Sequence, residues 1–196
     1  MNPVEASASS AEKILLAATD LFAANHFNGV SIKEIAKKSG VNSALISYYF
    51  GGKKNLYQEV LNEQSNLFLN LIARVSSKDI APLAKLREYI TAISEVQKLH
   101  PHRIHLIYRE LLTPSFMCDS FIKNRLYKIH KFMSELVTDA IADGSIRNNM
   151  QPTHVAFTLE SIIVFFFLTH DQIRDLGHFV NGSLLKISLI DMSVPS

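Results

Sequence analysis

The stretch SIKEIAKKSGVNSALISYYFGGK, residues 31–53, constrains this chain more than any other. Ser31 and Glu34 have the S-x-x-E spacing of a capping box, which starts a helix. Gly40 suits the left-handed residue that ends one. A second short helix is expected at 43–50, stopped by Gly51 and Gly52. Two short helices joined across Gly40-Val41-Asn42 form a helix-turn-helix. Ala36 permits their close approach. Ile35, Val41 and Ile46 can close a small core with Ile14, Leu21, Phe22 and Val30.

The second helix then turns Asn42, Ser43, Ala44, Ser47 and Tyr48 outward. Short donors and acceptors and one ring suit base edges in a major groove. Tyr49 and Lys53 fall where phosphates pass, and Ser31 and Lys33 offer further phosphate donors at the first helix. Charge agrees with this placement. The chain carries a formal net charge of only +2, yet residues 31–54 hold five lysines (Lys33, Lys37, Lys38, Lys53, Lys54) against one acid, Glu34. A basic end on a near-neutral body points to a polyanion partner at that end. A lysine-rich amphipathic helix is most often only a solvated face, and helix-turn-helix geometry also occurs in proteins that bind no DNA.

Beyond this stretch the pattern stays helical. Ile14, Leu15, Ala18, Leu21 and Phe22 share one face of a first helix, capped by Ser9 or Ser10 and stopped at Asn25 to Gly29. A long helix restarts at Lys53. Further helices are expected at 83–99, 102–112, 115–142, 152–169 and 172–188, and no strand pattern stands out. The class is all-α with about nine helices. Residues 1–10 read as a flexible arm, 11–54 as the helix-turn-helix domain and 55–196 as a larger helical ligand-binding and dimerisation domain.

The first 55 or so residues resemble the DNA-binding domain of TetR-type transcriptional regulators. The run GVSIKEIAKKSGVNSALISYYFGGKKNL carries the likeness, with turn, core and phosphate positions in the family's order. Many members carry Tyr where this chain has Ser47, and His where it has Tyr49. A base-contacting position thus holds a small hydroxyl, so no operator sequence carries over, while Tyr49 still reaches a phosphate. HPHRIHLIYRELLTPS and a later DGSIR are similar to the family's second domain. The resemblance implies a homodimer through the last two helices, a palindromic double-stranded operator and most often repression. It implies no cofactor.

VAFTLESIIVFFFLTH, residues 155–170, is apolar on nearly all sides, as a helix also covered by a partner would be. An unknown small apolar or amphipathic effector is expected in a pocket of the larger domain. Phe68, Ile72, Ile104, Tyr108, Phe121 and Phe165 are its candidate lining, though each such residue is more often plain core.

Other chemistry is thinly represented. His100, His102 and His105 lack a Cys or carboxylate at ligand spacing, so no metal is expected. Arg109 and Glu110 read as an ion pair or as pocket polar groups. The single cysteine, Cys118, excludes an internal disulfide, fits a reducing cytoplasm, and is more often a packed thiol than a redox sensor. The apolar run at 161–168 looks too short to span a bilayer, and no signal peptide is apparent, so a cytoplasmic protein without membrane contact is expected. Three classes follow: a ligand-released repressor, a DNA-binding protein controlled by a protein partner, and an enzyme. The last would need a polar cluster in a cleft, and no phosphate loop, nucleophile elbow or paired-carboxylate motif is present.

Overall fold

Side-chain caps set where the first helices begin. Ser9 Oγ accepts from the Glu12 amide at 3.2 Å, and Glu12 Oε2 accepts from the Ser9 amide at 2.7 Å, which opens α1 (Ser10–Ala24). Ser31 and Glu34 repeat the same box at 3.2 and 2.7 Å to open α2 (Ile32–Ser39). Gly40 ends α2 at φ 70°, and Gly51 ends α3 (Ala44–Phe50) at φ 71°. Both are left-handed positions that cost a side-chain-bearing residue energy. In this computed structural model, residues 9–113 and 125–174 are described.

The remaining helices are α4 (Lys53–Ser76), α5 (Pro82–Leu99), α6 (Pro101–Leu112), α7 (Tyr127–Ala142) and α8 (Pro152–Arg174), with one 3-10 turn at Phe27–Gly29. Eight α-helices and no strand thus make up the described residues, and the fold is all-α. Pro82, Pro101 and Pro152 each open a helix, where a missing amide hydrogen costs nothing.

Two expectations change. Ser9 and Ser10 belong to the cap and first turn of α1, so the arm does not reach residue 10. The expected break near residues 170–171 is absent, because α8 runs unbroken to Arg174. Thr169, His170 and Asp171 are polar, but polarity alone does not stop a helix that meets no Gly or Pro. The Thr169 hydroxyl donates back to the Phe165 carbonyl at 2.8 Å and keeps to the helix. The rest of the expected last helix, and the part of the 115–142 helix before residue 125, lie outside the described residues.

The chain divides into two compact units, Met1–Ser65 with His102–Phe121, and Asn66–Pro101 with Ile122–Ser196. The unit that holds the helix-turn-helix therefore also holds α6 from His102 onward. Its core contains Ile14, Ala18, Phe22, Val30, Ile35, Ile46, Leu56, Tyr57, Val60 and Ile107, all buried. Leu21 and Val41 are only half-buried at its edge.

In the second unit, Tyr89 of α5 meets Phe132 of α7 edge-on at 5.1 Å. Val155, Ala156, Leu159 and Ile163 give α8 its buried face. His130 Nδ1 of α7 sits 3.0 Å from Glu160 Oε2 of α8. Burial pushes the Glu160 carboxyl above its ordinary pKa, and the imidazole beside it holds that rise back. The apolar run at 161–168 turns out to be part of a longer element. Pro152–Thr169 is long and apolar enough to cross a bilayer by length and composition alone, with 22% of the stretch buried. The open side includes Phe157 and Phe165, each 65% exposed.

Candidate nucleic-acid interface

α3 is short, and one fully buried side chain, Ile46, seats it on the core. Its first turn is fixed from outside the helix. The Asn42 side-chain oxygen accepts from the Ala44 amide at 2.9 Å, and the Asn42 and Ser43 carbonyls accept from the Leu45 and Ile46 amides at 3.0 and 3.1 Å. Asn42 is exposed, and its side-chain nitrogen remains a donor. With Ile46 inward, Ser43, Ala44, Ser47 and Tyr48 are all exposed. Tyr48 is 78% exposed and meets Tyr49 edge-on at 5.0 Å; Tyr49 is 46% exposed. Two neighbouring rings are thus left largely in water, where a partner surface that covered them would gain apolar burial.

Hydroxyl and ammonium groups, which are able to bind phosphate, precede and follow this helix in the chain. The Ser31 hydroxyl accepts within its capping box and keeps its own hydrogen to donate. Lys33 and Lys37 are exposed on α2. Lys38 is 3.1 Å from Asp20 of α1, so that lysine braces two helices. Hydrogen bonds from Ser31 hold the Glu34 carboxyl below its ordinary pKa. Lys53, in the first turn of α4, lies 4.2 Å over the centre of the Phe27 ring. Partial burial there lowers its pKa, and Glu34 opposes the shift. A cation held on an aromatic face has fewer orientations open to it than a freely moving lysine.

The structure thus carries all nine expected DNA-facing residues (Ser31, Lys33, Asn42, Ser43, Ala44, Ser47, Tyr48, Tyr49 and Lys53) in the first unit. Eight of them are exposed, and Lys53 is half-buried.

Beneath this surface lies a polar group that the spacing did not place. Tyr57 of α4 donates to Glu110 Oε2 of α6 at 2.8 Å, and both side chains are buried. Burial first, then the carboxylate, pushes the Tyr57 hydroxyl well above its usual pKa. Arg109 donates to the carbonyls of Phe22, of Ala23 at 3.4 Å and of Asn25 at 3.0 Å, at the end of α1. Sequence reading expected Arg109 and Glu110 to pair with each other or to line a pocket. The hydrogen bonds described for them reach some 50 to 90 residues away, beyond the reach of local spacing.

The effector candidates are not gathered in one unit. Ile104 and Tyr108 are buried in the first, Phe68 is buried and Ile72 half-buried in the second, and Phe121 lies outside the described residues. Phe165 corrects an expectation, since it points away from the interior of the single chain. Its helical phase opposes that of Leu159 and Ile163, and apolar character alone did not reveal this. Cys118 and the side chain of His102 also lie outside the described part. Among the described residues no group of three His, Cys, Asp or Glu is placed to hold a metal ion.

Residues 14–60 match the family of bacterial regulatory proteins of the tetR type. The HTH-type transcriptional regulator RutR of Escherichia coli (strain K12) is 30% identical over 146 residues, covering 74% of this chain and 68% of that protein. The chain belongs to the TetR family. Like its TetR relatives it is a DNA-binding transcriptional regulator, and the family is not enzymatic. HlyIIR, a haemolysin II transcriptional regulator, has a solved structure that is 27% identical and superposes with a TM-score of 0.71, covering 95% of this chain and 98% of its own. AibR, solved with isovaleryl coenzyme A and operator DNA, has the same fold at 21% identity, with a TM-score of 0.76 over 96% of this chain and 100% of its own.

Proposed function

We propose that this TetR-type regulator is a repressor that binds a palindromic operator as a homodimer and is released by a small apolar or amphipathic effector. The observation that carries the DNA side is the exposed outer face of α3, Ala44, Ser47 and Tyr48, flanked by Ser31, Lys33, Tyr49 and Lys53. The short groups read base edges, and the hydroxyls and cations grip the backbone on either side. AibR, with its acyl-coenzyme A and operator, supports the ligand side by likeness of fold. The open apolar side of α8 supports the dimer, because a second copy would cover Phe157 and Phe165.

Two heads related by a two-fold axis read a two-fold sequence, with half-sites about 34 Å or more apart. The effector must bind the DNA-free conformation more tightly than the DNA-bound one, or nothing shifts. α4 starts at Lys53, the phosphate-facing cation, and continues to Ser76, so a tilt of this helix is the simplest carrier of that preference. The site of action is the chromosome, in the cytoplasm.

A mobility-shift assay with the DNA flanking the protein's own gene tests this reading. The expected result is a specific shift on a palindrome that survives competitor DNA and is reversed by one member of a panel of apolar and amphipathic metabolites. Binding that competitor DNA removes entirely would sink it.

A further inference from the structure

We propose that α6 completes the DNA-binding body, with Arg109, Glu110 and Tyr57 acting as positioning residues for operator binding. This rests on the reading of Lys53 as a phosphate contact. A helix leaves its last carbonyls without partners, and a local residue or a basic side chain in the last turn usually satisfies them. α1 has no basic residue in its last turn. Arg109 of α6 supplies the missing charge, reaching the Phe22, Ala23 and Asn25 carbonyls. A guanidinium there satisfies several orphan acceptors and faces the negative end of the helix dipole.

A second line leads from α6 to the DNA surface. The Glu110 carboxylate accepts from Tyr57. The Tyr57 ring meets Phe22 edge-on at 4.8 Å and Phe27 at 5.0 Å. Lys53 stands over Phe27 at 4.2 Å. Four side chains in sequence, Glu110, Tyr57, Phe27 and Lys53, thus join a buried carboxylate to the amine that faces phosphate. Close-packed rings transmit a displacement, because no free volume absorbs it. The aim of Lys53 is therefore set partly from α6, outside the helix-turn-helix sequence.

The test uses the full chain and a duplex that the wild type selects from a random-sequence pool. Affinity for that duplex and melting temperature are measured for Tyr57→Phe, Lys53→Ala and the double variant. Tyr57→Phe should weaken binding about fivefold, the loss of one hydrogen bond's worth of positioning. Lys53→Ala should then cost at least twofold less in the Tyr57→Phe background than alone, a coupling that lower stability by itself does not produce. Arg109→Gln should also weaken binding well below its melting temperature, and Arg109→Lys should recover part of the loss. If Tyr57→Phe folds poorly, Glu110→Gln keeps an acceptor and enters the same cycle. Independent, multiplying effects of the two substitutions, or wild-type affinity in Arg109→Gln, overturn the proposal. Failure of the wild type to select any duplex overturns the operator reading, and this inference with it.

Discussion

On the proposed reading Lys53 meets phosphate and Ser47 meets base edges, so substitutions at the two should separate. Lys53→Ala removes a phosphate partner. It should weaken binding to all sequences alike and reduce the slope of log K against log salt by about one. Ser47→Ala removes a group at the base edges. It should leave the salt slope intact and change which duplexes are preferred. A salt series on a small panel of duplexes reads both, and the same uniform loss in each would mean that the groove-facing side of α3 is misplaced. Glu160 offers a separate single-residue test. Burial raises its pKa in the fold, so the fold favours the neutral form more than water does. The group's contribution to stability is greatest below the ordinary carboxylate range and falls as pH rises through the raised value. The melting-temperature difference, Glu160→Gln minus wild type, should therefore grow more positive from mildly acidic pH towards neutrality. A difference that stays flat would show that His130 fully offsets the burial.

Among the elements, α3 depends most on a single anchor. Ile46 is its one buried residue, and truncation to Ala should cost about 2–5 kcal/mol of stability. Operator affinity should fall further than it does for an equally destabilising substitution in α5, since α3 loses its seat. Chemical denaturation beside a binding titration measures both. α8 makes the complementary prediction. Phe157→Glu or Phe165→Glu puts a charge on the open apolar side that the proposed dimer would cover, so either should yield monomers in sedimentation with helical content unchanged. A dimer that survives both would place the interface elsewhere. These two helices also mark what could be read locally. The boxes at Ser31 and Glu34, the left-handed Gly40 and Gly51, and the inward phase of Ile46 all follow from residues within one or two turns. The break expected after Thr169 failed because Thr, His and Asp only weakly disfavour a helix. The outward direction of Phe165 depends on which face of α8 meets α7.

At the scale of the molecule, the all-α fold and the two short helices joined across Gly40 could be read from the sequence because both rest on short-range pattern. The division into units could not. A cut after residue 54 follows the motif, yet the compact unit around it includes residues 102–121. Nothing in the spacing of Arg109 indicates that its partners are Phe22, Ala23 and Asn25, and nothing near Asp20 indicates Lys38. Long-range pairings are settled by tertiary packing, and a local pattern carries no record of them.

The hold of Arg109 on the end of α1 has a practical consequence for anyone building hybrid regulators. A graft cut at the motif boundary transfers α3 and the lysines of α2 but leaves behind the guanidinium that ties off α1. Such a chimera starts with three carbonyls at that helix end in need of new partners, and its recipient must provide a cation at the matching place. A graft that moves residues 9–65 together with α6 carries its own fastening with it.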